Sequence, residues 1–188
     1  MTEPVIAGRG FFARAATIGC MLGALALSGC TTDMDKGLCP SAFILAPVST
    51  LTVFRVGAPE DPSGELYTVS MTNAKTSCDF DKKKIQTESE VRIMFHAKRA
   101  PSAEAAAYNV PYFLSVTRHG ENIMTKKMFF AHVEFAPGAV TADFQEKIDS
   151  TTIKIARGAK IGEYEILAGL QLTRAQLDYN NKMNHYAP

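Results

Sequence analysis

The chain has 188 residues, 46% of them apolar, with 20 Lys and Arg against 19 Asp and Glu, no Trp and four Cys. That length favours one domain, and the ordinary apolar fraction excludes a disordered, collagen-like or disulfide-dense chain. A formal charge of +1 also argues against nucleic acid as a partner, because binding a polyanion takes a clear basic excess.

The first element is an address. Arg9 and Arg14 precede the apolar run 15–27, which is too short to span a bilayer comfortably and ends in small residues, the pattern of a secretory signal. The tetrad that follows, Leu27-Ser28-Gly29-Cys30, resembles the lipobox of bacterial lipoproteins. The resemblance implies that residues 1–29 are a signal peptide and that Cys30 becomes the first residue, carrying palmitate-type acyl chains on its thiol and amine. Each buried methylene adds about 0.8 kcal/mol, and more than one chain suffices for stable anchoring. Thr31 stands where an Asp would resemble an inner-membrane retention signal, so the expected location is the outer membrane, facing the periplasm. Loss of Arg9, Arg14 and Glu3 leaves the mature chain with a formal charge of zero, so long-range steering toward anionic polymers is not expected.

Of the four cysteines, Cys20 leaves with the signal and Cys30 is acylated, which leaves Cys39 and Cys78. In an oxidising compartment such a pair is expected to form a disulfide. The competing redox or metal reading lacks a CxxC and any His at ligand spacing.

Residues 30–38 read as a lipidated tether, and residues 39–188 as the folded domain. Within it the periodicity is mostly two. Short strands are expected at 42–46 and 51–56, separated by Pro47, and another at 66–72. From 85 to 97 the odd positions Ile85, Thr87, Ser89, Val91, Ile93, Phe95 and Ala97 share one side, the signature of a half-buried strand. Strands at 112–117 and 123–135 flank a hairpin turn centred near Gly120, with Ile123, Phe129, Ala131, Val133 and Phe135 placed on one face. Further strands are expected at 140–148, 151–156 and 163–172, with breaks at 57–64, 100–107, 137–138 and 157–162. Thr173-Arg174-Ala175-Gln176 fits a capping box opening a short helix to about Met183. Leu172, Leu177 and Met183 are expected to dock that helix, while Asn180-Asn181 and the tail fray. Seven or eight strands without helical patterns between them point to an all-β fold, an antiparallel β-sandwich of immunoglobulin or fibronectin type with a short C-terminal helix; a barrel is the main alternative.

Cys39-Pro40, the segment 51–55, Val110-Pro111-Tyr112-Phe113 and the closing run 163–173 with Gln176-Leu177 are similar to a family of small alphaproteobacterial envelope lipoproteins. The resemblance implies location and fold, and no chemistry.

The search for chemistry returns few candidates. His96 and His132 fall on polar strand faces, His119 in a turn and His185 in the tail, without metal-ligand spacing. Ser49, Ser70 and Ser115 lack the sequence context of a nucleophile. Glu88 and Glu90 share one strand face and could support acid–base work or hold a cation, but basic neighbours favour a solvated face. Lys82-Lys83-Lys84, compensated by Asp79 and Asp81, reads as a turn. Met124 and Met128, with Tyr112, are expected to form an exposed apolar patch that would mark a partner surface. No catalytic residue, metal or cofactor is expected. The expected function is a non-enzymatic, lipid-anchored interaction or accessory module with an envelope protein partner. The alternative is a small-ligand or glycan-binding lipoprotein feeding a transporter, which calls for a deep apolar pocket of roughly 300 Å³ or more.

Overall fold

Alternating apolar and polar residues leave one side of each strand to be buried. In the computed structural model, which describes residues 39–186, eight strands bury those sides in two four-stranded sheets. The strands are β1 (Ser41–Ile44), β2 (Thr50–Phe54), β3 (Glu65–Asp81), β4 (Gln86–Arg99), β5 (Ala106–Arg118), β6 (Asn122–Phe135), β7 (Thr141–Lys154) and β8 (Tyr164–Leu170), followed by the helix α1 (Arg174–Met183). One sheet has the order β1-β8-β5-β6 and the other β2-β3-β4-β7. The 3-10 turn Ala46–Val48, with Pro47 inside it, carries the chain from the first sheet to the second.

The all-β fold with a short C-terminal helix follows the pattern read from the sequence. One pairing departs from it, since β1 runs parallel to β8 while every other neighbouring pair is antiparallel. Parallel neighbours cannot be joined by a tight turn, and here nearly the whole domain lies between the two strands.

The inner faces meet in one core. Phe95 on β4 meets Tyr112 on β5 edge to face at 5.5 Å, and Tyr67 on β3 stacks on Tyr108 of β5 at 4.0 Å. Val69, Ile93, Val110, Val133, Tyr164 and Ile166 are fully buried around them. Burial pushes the Tyr67 and Tyr112 hydroxyls well above the usual phenol range. Tyr164 Oη finds a partner in the core rim by accepting the Ala156 amide at 2.8 Å.

Three bulges decide which residues face inward. Thr72 is an extra residue between the Met71–Phe95 and Asn73–Met94 pairs, so β3 changes from odd to even positions facing the core. A second bulge lies between the Ser89–Thr151 and Val91–Ile148 pairs. It reverses the parity of β7, which is why 140–148 and 151–156 read as two strands although the structure has one. A third, opposite Val116/Thr117, turns Ile123 to the outward face, correcting its expected place beside Phe129 and Ala131. The expected break at 100–107 is shorter, because β5 begins at Ala106.

The capping box forms as read: Thr173 Oγ1 accepts the Gln176 amide at 3.2 Å, and Gln176 Oε1 accepts the Thr173 amide at 2.9 Å. Leu172 packs against the core as expected, and the helix itself is fixed by residues that were not expected. Tyr179 meets Phe54 edge to face and donates to Glu65 Oε1 at 2.9 Å, while Asn180, fully buried, donates from Nδ2 to Thr50 O at 2.6 Å. Asn180 is therefore an anchor and does not fray. Burial, with the Glu65 carboxylate beside it, pushes the Tyr179 hydroxyl up to about 12.

Candidate functional site

Cys30, the expected acylation site, lies outside the described residues. The described chain begins at Cys39, which is joined to Cys78 with their Cα atoms 5.6 Å apart. The bulge at Thr72 makes this bond possible: it puts Cys78 among the inward even positions Ala74, Thr76 and Phe80, paired with Ile93, Val91 and Thr87. Beside the bridge, Thr76 Oγ1 donates to Pro40 O at 2.6 Å. The bridge ties the entry to β1 in one sheet to β3 in the other.

The outward side of the β2-β3-β4-β7 sheet carries the first candidate surface. Cross-strand register aligns Thr50, Ser70, His96 and Asp143 in one row. Thr50 and Ser70 share a hydroxyl hydrogen bond at 3.0 Å, and His96 Nδ1 lies 2.7 Å from Asp143 Oδ1. Ser70 thus turns toward β2 and His96 toward β7, so a Ser, a His and an Asp share a row without forming a relay to a nucleophile. Lys98 and the residues after α1, Asn184 to Tyr186, complete a concavity of about 330 Å³ over this row. Asn184, in the left-handed conformation at φ 52°, turns the tail back over the sheet. The hollow is lined by residues with polar side chains and lies outside the sandwich, whereas the space between the sheets is filled by side chains. It can accept a hydroxyl-bearing or anionic group through His96 and Lys98. Another hollow, about 480 Å³, lies at Ala105–Ala107 and Glu134–Ala136.

The remaining polar candidates are engaged singly. Glu90 lies 2.6 Å from Arg92 and 2.8 Å from Lys147, while Glu88 stands opposite Asp79 and Thr152, so the two acids do not form a dyad. Lys82 to Lys84 form the β3–β4 turn, where Asp81 Oδ1 accepts the Lys83 and Lys84 amides at 2.9 and 3.1 Å. These bonds hold the Asp81 carboxyl below its ordinary range. His119 lies 3.3 Å from Glu163, His132 sits between Asn109 and Glu134, and the His185 ring packs on Tyr179. Ser49 donates to Ala46 O and Ser115 to Thr125 O. Among the described residues no cluster of three or more His, Cys, Asp or Glu is placed to hold a metal.

The outward side of the β1-β8-β5-β6 sheet is of another kind. Ile123, Met124, Met128 and Phe130 are 70%, 52%, 45% and 69% exposed on β6, and Phe43 stands half exposed at the opposite edge. Tyr112, expected in this patch, is only 1% exposed and faces the core, because inward and outward positions alternate along β5. The neighbouring Phe113 is the outward aromatic, lying against Val48 and Gly169 with Lys126 Nζ 4.1 Å above its ring. Phe130 went unread in the sequence because it follows Phe129 directly; only the strand register separates the two faces. Compared with protein-family models, with curated proteins and with solved structures, the chain matches none.

Proposed function

We propose that this chain is a non-enzymatic interaction module of the bacterial cell envelope, acylated at Cys30 and held at the periplasmic side of the outer membrane by the tether 30–38. The lipobox tetrad supports the anchor. The exposed apolar side chains of β6, Ile123 and Met124 before Lys126 and Met128 and Phe130 after it, carry the interaction reading, since a solvated sheet face is ordinarily polar and exposed apolar area on it marks a binding surface. In architecture the domain is read as an immunoglobulin- or fibronectin-like sandwich. Its divided first edge, β1 parallel to the last strand and β2 antiparallel to β3, favours that reading, although its strand order differs from the A-B-E-D over C-F-G arrangement.

Two measurements test the proposal. Metabolic labelling with an alkyne palmitate should mark the wild-type chain and not Cys30→Ala; equal labelling of both would overturn the anchor. Crosslinking in the native envelope should trap a protein at β6; capture of none would overturn the module. A second reading, a small-ligand or glycan-binding lipoprotein feeding a transporter, draws on the hollow over His96 and Lys98. That hollow is open and lies on the outside of the sandwich, unlike the deep enclosed pocket such a role calls for, so the interaction reading is preferred.

A further inference from the structure

The four sheet edges of this fold are not equally protected. β1 has only four residues, and α1 packs against β2 through Tyr179 and Asn180. β7 has a bulge and shows solvent Thr141, Asp143, Gln145, Lys147 and Asp149. Short length, cover, bulges and charge are the ordinary ways of keeping an edge from pairing. β6 has the same fourteen-residue length as β7 and a bulge near its start, and differs in what it turns outward: Met128 and Phe130 stand in solvent beside Lys126, His132 and Glu134, on a stretch from Thr125 to Phe135 that pairs with β5 without interruption.

We propose that a second copy of this chain pairs antiparallel with β6 about a two-fold axis at Phe130, joining two sheets into one of eight strands. The charge pattern of the strand selects this occupant and this register. In a two-fold edge pairing the axis stands perpendicular to the sheet, so outward residues meet outward residues and the residue on the axis meets itself. With the axis at Phe130, Lys126 stands opposite Glu134 of the second copy, Met128 opposite His132, and Phe130 opposite Phe130. The Lys–Glu pair occurs twice by symmetry. Moving the axis to residue 129 or 131 loses both ion pairs, and moving it to 126 or 127 sets a lysine against itself. At the inward positions Phe129 then meets Ala131, an apolar pair. Opposite charges and aromatic pairs directly across strands are stabilising, and like charges are not. Lys126 Nζ is bonded to Gln171 Oε1 at 3.1 Å over Phe113, and Glu134 Oε1 lies 3.0 Å from His132 Nε2, so the pairing exchanges these exposed contacts within the chain for the contacts between copies.

This inference rests on reading β6 as an interaction surface and names what covers it. The test is photocrosslinking of the full chain in its producing cell, with p-benzoylphenylalanine at position 130. The expected product has twice the 20.4 kDa chain mass, less the mass of any residues removed in processing. Glu134→Lys should weaken self-association roughly tenfold by turning two attractive pairs into two repulsive ones. Adding Lys126→Glu should restore it, and because both side chains are exposed, neither change threatens the fold. Sedimentation of the full chain in mild detergent gives the same comparison without a probe, and equal detergent binding by all variants separates pairing from lipid-driven association. Crosslinks only to other proteins would overturn the self-pairing while leaving the interaction module standing. An absence of any crosslink at position 130 would overturn both. A double variant that stays monomeric would overturn the register and with it the proposal.

Discussion

The two sheets share one interior and turn different chemistry outward. On β2-β3-β4-β7 the polar groups are closed on each other: Thr50 with Ser70, His96 with Asp143, Glu90 between Arg92 and Lys147, with α1 fixed to β2 through Asn180. On β1-β8-β5-β6 the outward Phe43, Met124, Met128 and Phe130 stand in solvent. The first surface meets its own bonding needs. The second leaves apolar area uncovered, which is the reason for assigning the proposed interaction to that side of the molecule.

The largest expected effect comes from the bond that joins the two sides. Cys39 precedes β1 in the apolar sheet and Cys78 lies in β3 of the polar one, so the double substitution Cys39→Ser, Cys78→Ser frees the sheets from their covalent tie. A loop of about 40 residues gives a loss of about 4 kcal/mol in the chain-entropy account, read from urea unfolding of oxidised wild type against the variant. An unchanged midpoint would mean that the shared aromatic core alone holds the sheets together.

Next in size is a change that tests whether the apolar face is packed or merely exposed. A Cβ at Gly169 would lie 2.6 Å from Val48 Cγ2 and 2.8 Å from Phe113 Cζ. Gly169→Val should therefore cost about 1–3 kcal/mol through overpacking. On the polar face, Ser70→Ala should cost about 1 kcal/mol through the lost Thr50 bond. If Gly169→Val proves neutral in thermal unfolding, Phe113 is free to move and the apolar face is not a built surface. A comparable loss, about 1 kcal/mol, is expected from Thr173→Ala, which removes the helix cap. Amide exchange at Asn180 should rise with it if the cap holds α1 against β2.

The asymmetry was only partly legible in the sequence. Strands with unbroken alternation, such as 85–97, were readable because each buried residue is two positions from the next. The capping box was readable because its donors and acceptors are local. What escaped depended on bulges. An extra residue at Thr72 reverses the inward side of β3 without changing its composition, so the orientation of Cys78 came from cysteine arithmetic and not from pattern. The bulge opposite Val116/Thr117 moved Ile123 outward, and the alternation of β5 gave Phe113, not Tyr112, to the exposed side. The parallel partnership of β1 with β8 joins segments more than a hundred residues apart, which no local periodicity records. Asn180 reads as a tail residue until the fold brings Thr50 O to its amide.

The smallest expected effect compares one carboxylate from each sheet in the same pH window. In the apolar sheet Glu163, just before β8, accepts the Lys160 amide and then the Arg118 side chain, with His119 adjacent; these hold its carboxyl below the ordinary 4.5. In the polar sheet Asp81 at the β3–β4 turn is held below 3.8 chiefly by the Lys84 amide. A folded value below the unfolded one means that each contribution is complete above the unfolded pKa and is lost as pH falls through the folded value. Both groups are solvent-accessible, which keeps the contributions small. Thermal midpoints followed from pH 7 to pH 3 should fall in wild type on the acid side. Glu163→Gln should flatten its share by losing the Arg118 ion pair, lowering the midpoint at neutral pH. Asp81→Asn should flatten its share while keeping the neutral midpoint nearer to wild type, because an Asn oxygen can still accept the two turn amides. Variant curves parallel to wild type throughout would show that neither carboxylate is linked to folding, and that the acid response arises elsewhere in the domain.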